Sequence, residues 1–168
     1  MTPNRRMAAL AGGIFFLDQA TKQLVLQYLG GNEEIILVSG FFKLVHWGNT
    51  GAAWSLFYGN NEMLAIISLG ALLALFLSRR HFDTGSFWGQ FSLGLIFGGI
   101  VGNLLDRLRL GHVVDFIYFF LYQRGGGEKG FPAFNVADTA ICTGVGLLLL
   151  LSWKNENASR GVSAEPGR

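Results

Sequence analysis

Long apolar runs separated by short polar clusters dominate the chain. Residues 63–78, 85–105 and 139–153 contain no Lys, Arg, Asp or Glu. Each is close to the length a helix needs to cross a bilayer, about 20 residues at about 1.5 Å rise per residue. A fourth run begins after Arg5-Arg6 and continues as a helical pattern to Leu29, where Gly30-Gly31-Asn32 stops it. The pattern predicts spans at about 7–29, 62–78, 87–105 and 134–153. The first is read as a retained span anchored by its arginines, because Asp18, Gln19, Thr21 and Lys22 stand where a cleaved signal would carry a small-x-small site.

Two segments between spans have a different texture. Within 30–60, residues 35–38 and 41–46 are β-prone and broken by Ser39-Gly40, which predicts a hairpin. Within 106–132, Gly125-Gly126-Gly127 predicts a flexible turn, without the Gly-Lys-Ser/Thr ending of a phosphate loop. Residues 1–154 read as a single membrane domain, and 155–168 as a polar, unstructured cytoplasmic tail. No internal repeat supports an inverted-repeat transporter.

Composition agrees: 51% of the 168 residues are hydrophobic and 14% charged, against about 25% charged in a soluble domain. A net charge of +2 is too small and dispersed for a nucleic-acid surface. One cysteine, Cys142, excludes an internal disulfide and is read as a buried packing residue. The three histidines lack ligand spacing, so no metal is expected. Arg5, Arg6, Arg79, Arg80 and Lys154 fall at the ends that four alternating spans place together, which predicts cytoplasmic termini and a cytoplasmic 79–86 loop.

Ionisable and amide groups concentrate at the opposite ends, and such groups in spans are functional candidates by default. Asp18 and Lys22 share one face of the first span, either as an ion pair near the headgroups or as part of a site. Asn103, Asp106 and Arg107 stand at i, i+3, i+4, and Asp106 with Arg107 and Arg109 reads as a helix-end charge cluster. Asn135 precedes Asp138 by the spacing of a helix cap. Gly94, Gly98 and Gly102 form one face suited to close helix packing. Asp115 and Asp138 lie in apolar surroundings with no cation beside them in sequence. Such isolated carboxyls raise their pKa or seek one another, and two that meet can share a proton as aspartic peptidases do. A proton-coupled carrier is the alternative, and a non-catalytic scaffold a third reading.

The motifs Asp18-Gln19-Ala20-Thr21-Lys22, Asn49-Thr50-Gly51-Ala52-Ala53, Gly102-Asn103-Leu104-Leu105-Asp106-Arg107, Gly111-His112-Val113-Val114-Asp115-Phe116 and Phe134-Asn135-Val136-Ala137-Asp138 resemble, in order, those of the lipoprotein signal peptidases (signal peptidase II). Trp54, in place of the usual Phe, and His46-Trp47-Gly48 before Asn49 are small departures. The resemblance implies an all-α membrane protein of four transmembrane helices, with a small extracytoplasmic β-cradle and a loop helix. It implies an aspartic endopeptidase of the bacterial cytoplasmic (inner) membrane, with its active site at the outer face. The implied reaction is cleavage of prolipoproteins before a diacylglyceryl-modified cysteine. Asp115 and Asp138 would be the catalytic dyad, and Asp18, Asn49, Asn103, Arg107 and Asn135 would line or support it. Lys22, Gly51, Asp106 and Ala137, in the same blocks, would support it too. No cofactor is implied. The expected partners are lipidated prolipoproteins and membrane lipid, with no nucleic acid, and the enzyme would act as a monomer. Phe57, Phe116 and Phe119 are assigned to no role beyond facing lipid or substrate.

Overall fold

The computed structural model describes residues 2–30, 33–51, 57, 59–82 and 86–163. Four helices and four strands follow in the order α1 (Pro3–Tyr28), β1 (Glu34–Val38), β2 (Phe42–Asn49), α2 (Asn61–Ser78), α3 (Phe87–Leu110), β3 (Val113–Tyr122), β4 (Glu128–Gly130) and α4 (Val136–Ser163). A 3-10 turn, Arg79–His81, follows α2.

Among the described residues, three segments are long and apolar enough to cross a membrane: Asn61–Ser78, Phe87–Leu110 and Val136–Asn157. At 26 residues α1 is longer than any of these, but it carries Arg5, Arg6, Asp18 and Lys22. Most of α3 is buried and α2 is almost wholly exposed, with Ile66, Leu69 and Leu77 each more than 60% accessible. Apolar exposure of that extent suits hydrocarbon rather than water as the solvent.

Helix α3 is the hub, packed on α1 along one face and on α4 along another. Glycine permits the close approach. A Cβ on Gly98 would stand 2.6 Å from the Ala11 carbonyl oxygen, and one on Gly102 would collide with the Asp18 carboxylate. The glycine row therefore serves helix packing, as its spacing predicts. Ser86 caps the start of α3, its Oγ accepting from the Gly89 N–H at 3.0 Å. Gly111 ends the helix in the left-handed region (φ 76°) and turns the chain directly into β3.

The strands form one antiparallel sheet in the order β1-β2-β3-β4. The predicted hairpin is β1–β2. The ten-residue β3 opens without alternation: its first four residues are all buried. Val114 and Phe116 pack with Val25 of α1 and with Leu29 just past its end, whereas Tyr118 and Phe120 pack with Val45. Both faces are covered, so the segment reads as a continuous apolar run. Lys43 of β2 is buried and ties the sheet together through Glu34 of β1 and Glu128 of β4, each at 2.7 Å.

Some expectations change. Helix α3 continues to Leu110 rather than 105, and α4 starts at Val136 rather than 134. The tail expected to be unstructured from 155 is helical through Ser163, because 154–160 contains no glycine or proline to end α4; residues 164–168 lie outside the described residues. Among the described residues of 30–60 and 106–132 there is no loop helix after α1 or α3 has ended. Residues 31–32, 52–56 and 58, which include Gly31, Asn32, Ala52, Ala53 and Trp54, lie outside them.

Candidate active site

The C-terminal end of α3 and the N-terminal end of α4 meet the first residues of β3, and three backbone hydrogen bonds fix that meeting. Phe134 accepts from the Phe116 and Ile117 N–H groups at 3.1 and 2.9 Å, and its own N–H donates to the Ile117 carbonyl at 3.1 Å. Phe134, one position before Asn135 and two before the first residue of α4, is thereby held against β3.

Asn135 is the centre of the arrangement. Its Nδ2 donates to Asp115 Oδ1 at 2.9 Å, to Asn103 Oδ1 at 3.1 Å and to the Val114 carbonyl at 3.3 Å. Its Oδ1 accepts from the Asp138 N–H at 2.9 Å, and Asp138 Oδ2 accepts from the Asn135 N–H at 3.2 Å. That reciprocal pair is a capping box at the start of α4. Asn103 completes the circuit, its Nδ2 donating to Asp138 Oδ1 at 2.7 Å. Asn49, at the end of β2, donates to Asp115 Oδ2 at 2.9 Å and accepts from the Gly51 N–H, also at 2.9 Å. All four carboxyl oxygens of Asp115 and Asp138 thus receive an N–H.

Behind this layer lies a buried charge network. Lys22 Nζ stands 2.9 Å from Asp18, 2.7 Å from Asp106 and 2.8 Å from Asn103 Oδ1, with its side chain 1% exposed. Asp18 Oδ1 also accepts from the Ala137 N–H at 2.9 Å, and Asp106 Oδ2 from the Val114 N–H at 3.2 Å. Asp18 with Lys22 is therefore an ion pair, but one buried in the protein rather than lying among headgroups. The helix-end charge cluster is not formed. Asp106 turns inward to Lys22, whereas Arg107 reaches the Gly51 carbonyl at 3.3 Å; side chains adjacent in sequence leave a helix about 100° apart.

Asp115, Asp138, Asn49, Gly51, Asn103 and Arg107 line one pocket of about 460 Å³. Phe131, Pro132, Ala133 and Phe134 form an apolar wall, and Thr139, Ile141, Cys142 and Thr143 extend the lining along α4. Asp18, Lys22 and Asp106 stand behind the pocket, and Ala137 contributes through its buried backbone. Cys142 is exposed and faces this pocket, contrary to the expectation of a buried residue, because it lies one helical turn beyond Asp138 on the same face. Phe116 is buried in the core, and Phe57 is exposed with a positive φ of 58°.

Sequence reasoning assigned no role to Gln19. Its Nε2 donates to Asp106 Oδ1 at 2.9 Å and to the Gly102 carbonyl at 3.2 Å, joining α1 to α3. Its place beside Asp18 in the first motif was the available signal.

Burial pushes the Asp115 carboxyl up to about 7, and the neighbouring Asp138 adds to the push. The Asn49 and Asn135 donors and the Lys22 charge offset part of it. A carboxyl that titrates near neutrality beside a second carboxyl is equipped to hold or release a proton during acid–base chemistry. Among the described residues no cluster of His, Cys, Asp and Glu is arranged to hold a metal.

A family model described as signal peptidase (SPase) II matches residues 10–154. The lipoprotein signal peptidase of Nostoc punctiforme is 42% identical over 147 residues, covering 88% of this chain and 89% of its own. That of Desulforapulum autotrophicum is 43% identical over 146 residues, covering 83% and 86%. The fold matches a solved bacterial membrane enzyme with a TM-score of 0.74 and 26% identity, over 96% of this chain and 93% of that one. A second such enzyme matches at 0.72 and 28%, over 86% and 90%.

Proposed function

The chain belongs to the signal peptidase II family, and from that premise we propose that Asp115 and Asp138 are its catalytic dyad. The protein is a multi-pass membrane aspartic endopeptidase that removes signal peptides from prolipoproteins. The observation that carries the dyad is the Asn135 bridge, which hydrogen-bonds both aspartates at the wall of a single pocket.

The two carboxyls share one proton. The ionised member takes a proton from a bound water as that water attacks the scissile carbonyl carbon. The protonated member donates to the carbonyl oxygen, so no free oxyanion accumulates. Return of a proton to the leaving nitrogen then breaks the C–N bond. Asn49, Asn103 and Asn135 keep the carboxyls oriented, and the Arg107 guanidinium, lining the pocket, favours substrate carbonyls at its mouth. Each carboxyl comes from the same chain, which supports a monomeric enzyme.

Helix α1 serves as the fourth span, within one peptidase domain over 1–154, and both termini and the 79–86 loop face the cytoplasm. The support is the arginine asymmetry together with the site's position at the opposite ends of α3 and α4. The dyad then stands at the outer face of the cytoplasmic membrane, where a diacylglyceryl-modified cysteine is anchored. The lining along Ile141 and Cys142 gives acyl chains an apolar wall beside the bond to be cut.

The test is cleavage of a lipidated prolipoprotein by Asp115→Asn and Asp138→Asn. Each loses turnover by orders of magnitude while remaining inserted. Near-normal turnover in either refutes the dyad. The same substrate without its lipid is cut far more slowly, and equal rates would remove the lipid from the recognition.

A further inference from the structure

Lys22 is fully buried, does not line the pocket, and has no part in the water-activation steps above. Three oxygens surround its ammonium: Asp18 Oδ2, Asp106 Oδ2 and Asn103 Oδ1, at 2.9, 2.7 and 2.8 Å. Two carboxylates would suffice to pair a buried cation. The third contact has a different consequence.

An asparagine amide can present either its oxygen or its NH2 group to a neighbour, and the partners decide which. An ammonium offers only donors, so Lys22 fixes the Asn103 oxygen toward itself. The Asn103 Nδ2 is then left pointing at Asp138 Oδ1, 2.7 Å away. Asn135 also donates to the Asn103 oxygen, but its two protons are divided among three acceptors at 2.9, 3.1 and 3.3 Å. Lys22 makes the shorter contact and holds the orientation.

Asp138 also sits in the first turn of α4, where its Oδ2 accepts from the Asn135 N–H and the helix dipole favours an anion. Both oxygens therefore receive donors whose direction is fixed, one by the backbone and one by Lys22. We propose that Lys22 is the positioning residue of the dyad: by locking the Asn103 amide it keeps Asp138 the ionised, water-activating member and leaves the shared proton on Asp115. This inference rests on the dyad reading and assigns different work to its two members. Burial favours the protonated form of Asp115, in keeping with that division.

The charged groups facing this position are Asp18 on α1, Asp106 and Arg107 on α3, Asp115 on β3 and Asp138 on α4. Removing Lys22 takes away a positive charge and releases the Asn103 amide. Both changes make Asp138 hold its proton more tightly, so the base ionises at higher pH.

The experiment is the pH profile of kcat/KM for the full chain in detergent with a lipidated prolipoprotein, in wild type, Lys22→Met and Lys22→Met/Asp106→Asn. The double variant avoids leaving two unpaired carboxylates in the core, and Asp18 stays engaged with the Ala137 N–H. In Lys22→Met the acid limb moves up by about one pH unit, and in the double variant it moves in the same direction by less. The deficit is greatest at low pH and shrinks as pH rises. A deficit equal at every pH in a folded variant overturns the proposal, as does loss of fold in both variants, which would make Lys22 a purely structural partner. Asp115→Asn and Asp138→Asn run in parallel. Their inactivity with an unshifted Lys22 limb refutes this inference alone, whereas their activity refutes the dyad itself.

Discussion

Asp18 and Ala137 stand 119 positions apart, yet Asp18 Oδ1 accepts the Ala137 N–H at 2.9 Å. Helix α4 thus begins with one amide satisfied by α1 and the next by its own cap, Asn135. The groups that satisfy these amides also meet the carboxyl framework, so helix capping and site geometry are one structure.

Gly102 tests that coupling. Its missing Cβ leaves room for the Asp18 carboxylate, so Gly102→Ala forces Asp18 aside. Overpacking of this kind costs about 1–3 kcal/mol, and here it also frees the Ala137 N–H. A thermal melt in detergent gives a lowered Tm, and the cleavage rate falls further than that loss of folded protein explains.

Asn135 carries a second test, because its two roles separate by substitution. Asn135→Ala removes the cap, worth about 1 kcal/mol, and also the bridge from Asp115 to Asp138. Asn135→Ser keeps a capping oxygen but lacks the amide donor. The serine variant is expected to melt near the wild-type temperature and to cleave as poorly as the alanine variant. Recovery of activity along with stability would reduce Asn135 to a plain cap.

The pH dependence follows from Asp115. Its carboxyl ordinarily titrates at 3.8 and is raised to about 7 in the fold. The folded state therefore binds a proton that the unfolded chain has already released between those values. Asp115 stabilises the fold fully below about pH 4, and that contribution is lost as pH rises toward 7. Asp115→Asn removes the effect, so the variant gains in Tm relative to wild type as pH rises through that window. Activity also falls on the alkaline side near pH 7, as the shared proton leaves a dyad whose apparent pKa belongs to the pair. A rate flat to pH 9 would contradict this.

Lys43 offers a test away from the dyad. Glu128, one of its two partners, leads through β4 into Phe131 and Pro132 of the pocket wall. Lys43→Met releases that wall, so KM rises by several-fold with a smaller change in kcat. The partners are partly exposed, so the loss in stability stays near 1 kcal/mol.

The helices were legible because membrane spans announce themselves: α2 and α3 are uncharged over most of their length and bounded by arginines. Asp115 and Asp138 were legible as carboxyls without sequence neighbours to neutralise them. Strand β3 was hidden, since a strand buried on both faces loses the period of two that identifies it. The Lys22–Asp106 pair was hidden for a different reason. Sequence adjacency suggested Arg107 as the partner of Asp106, and only the approach of α1 to α3 across their glycine face brings Lys22 there. Cys142 was misread because an apolar run looks the same whether a pocket opens beside it or not.

The capping of α4 by α1 also bears on how the protein is made. As the chain leaves the ribosome, Asp18 and Lys22 are made long before Ala137 exists, and Asp106 arrives before either candidate aspartate. Until the last helix is inserted, Asp18 has no Ala137 amide to accept, Asn103 has no Asp138 to orient, and Asp115 lacks its bridge. On the proposed dyad, a chain that lacks α4 is proteolytically silent, and the arrival of that helix switches the hydrolytic function on.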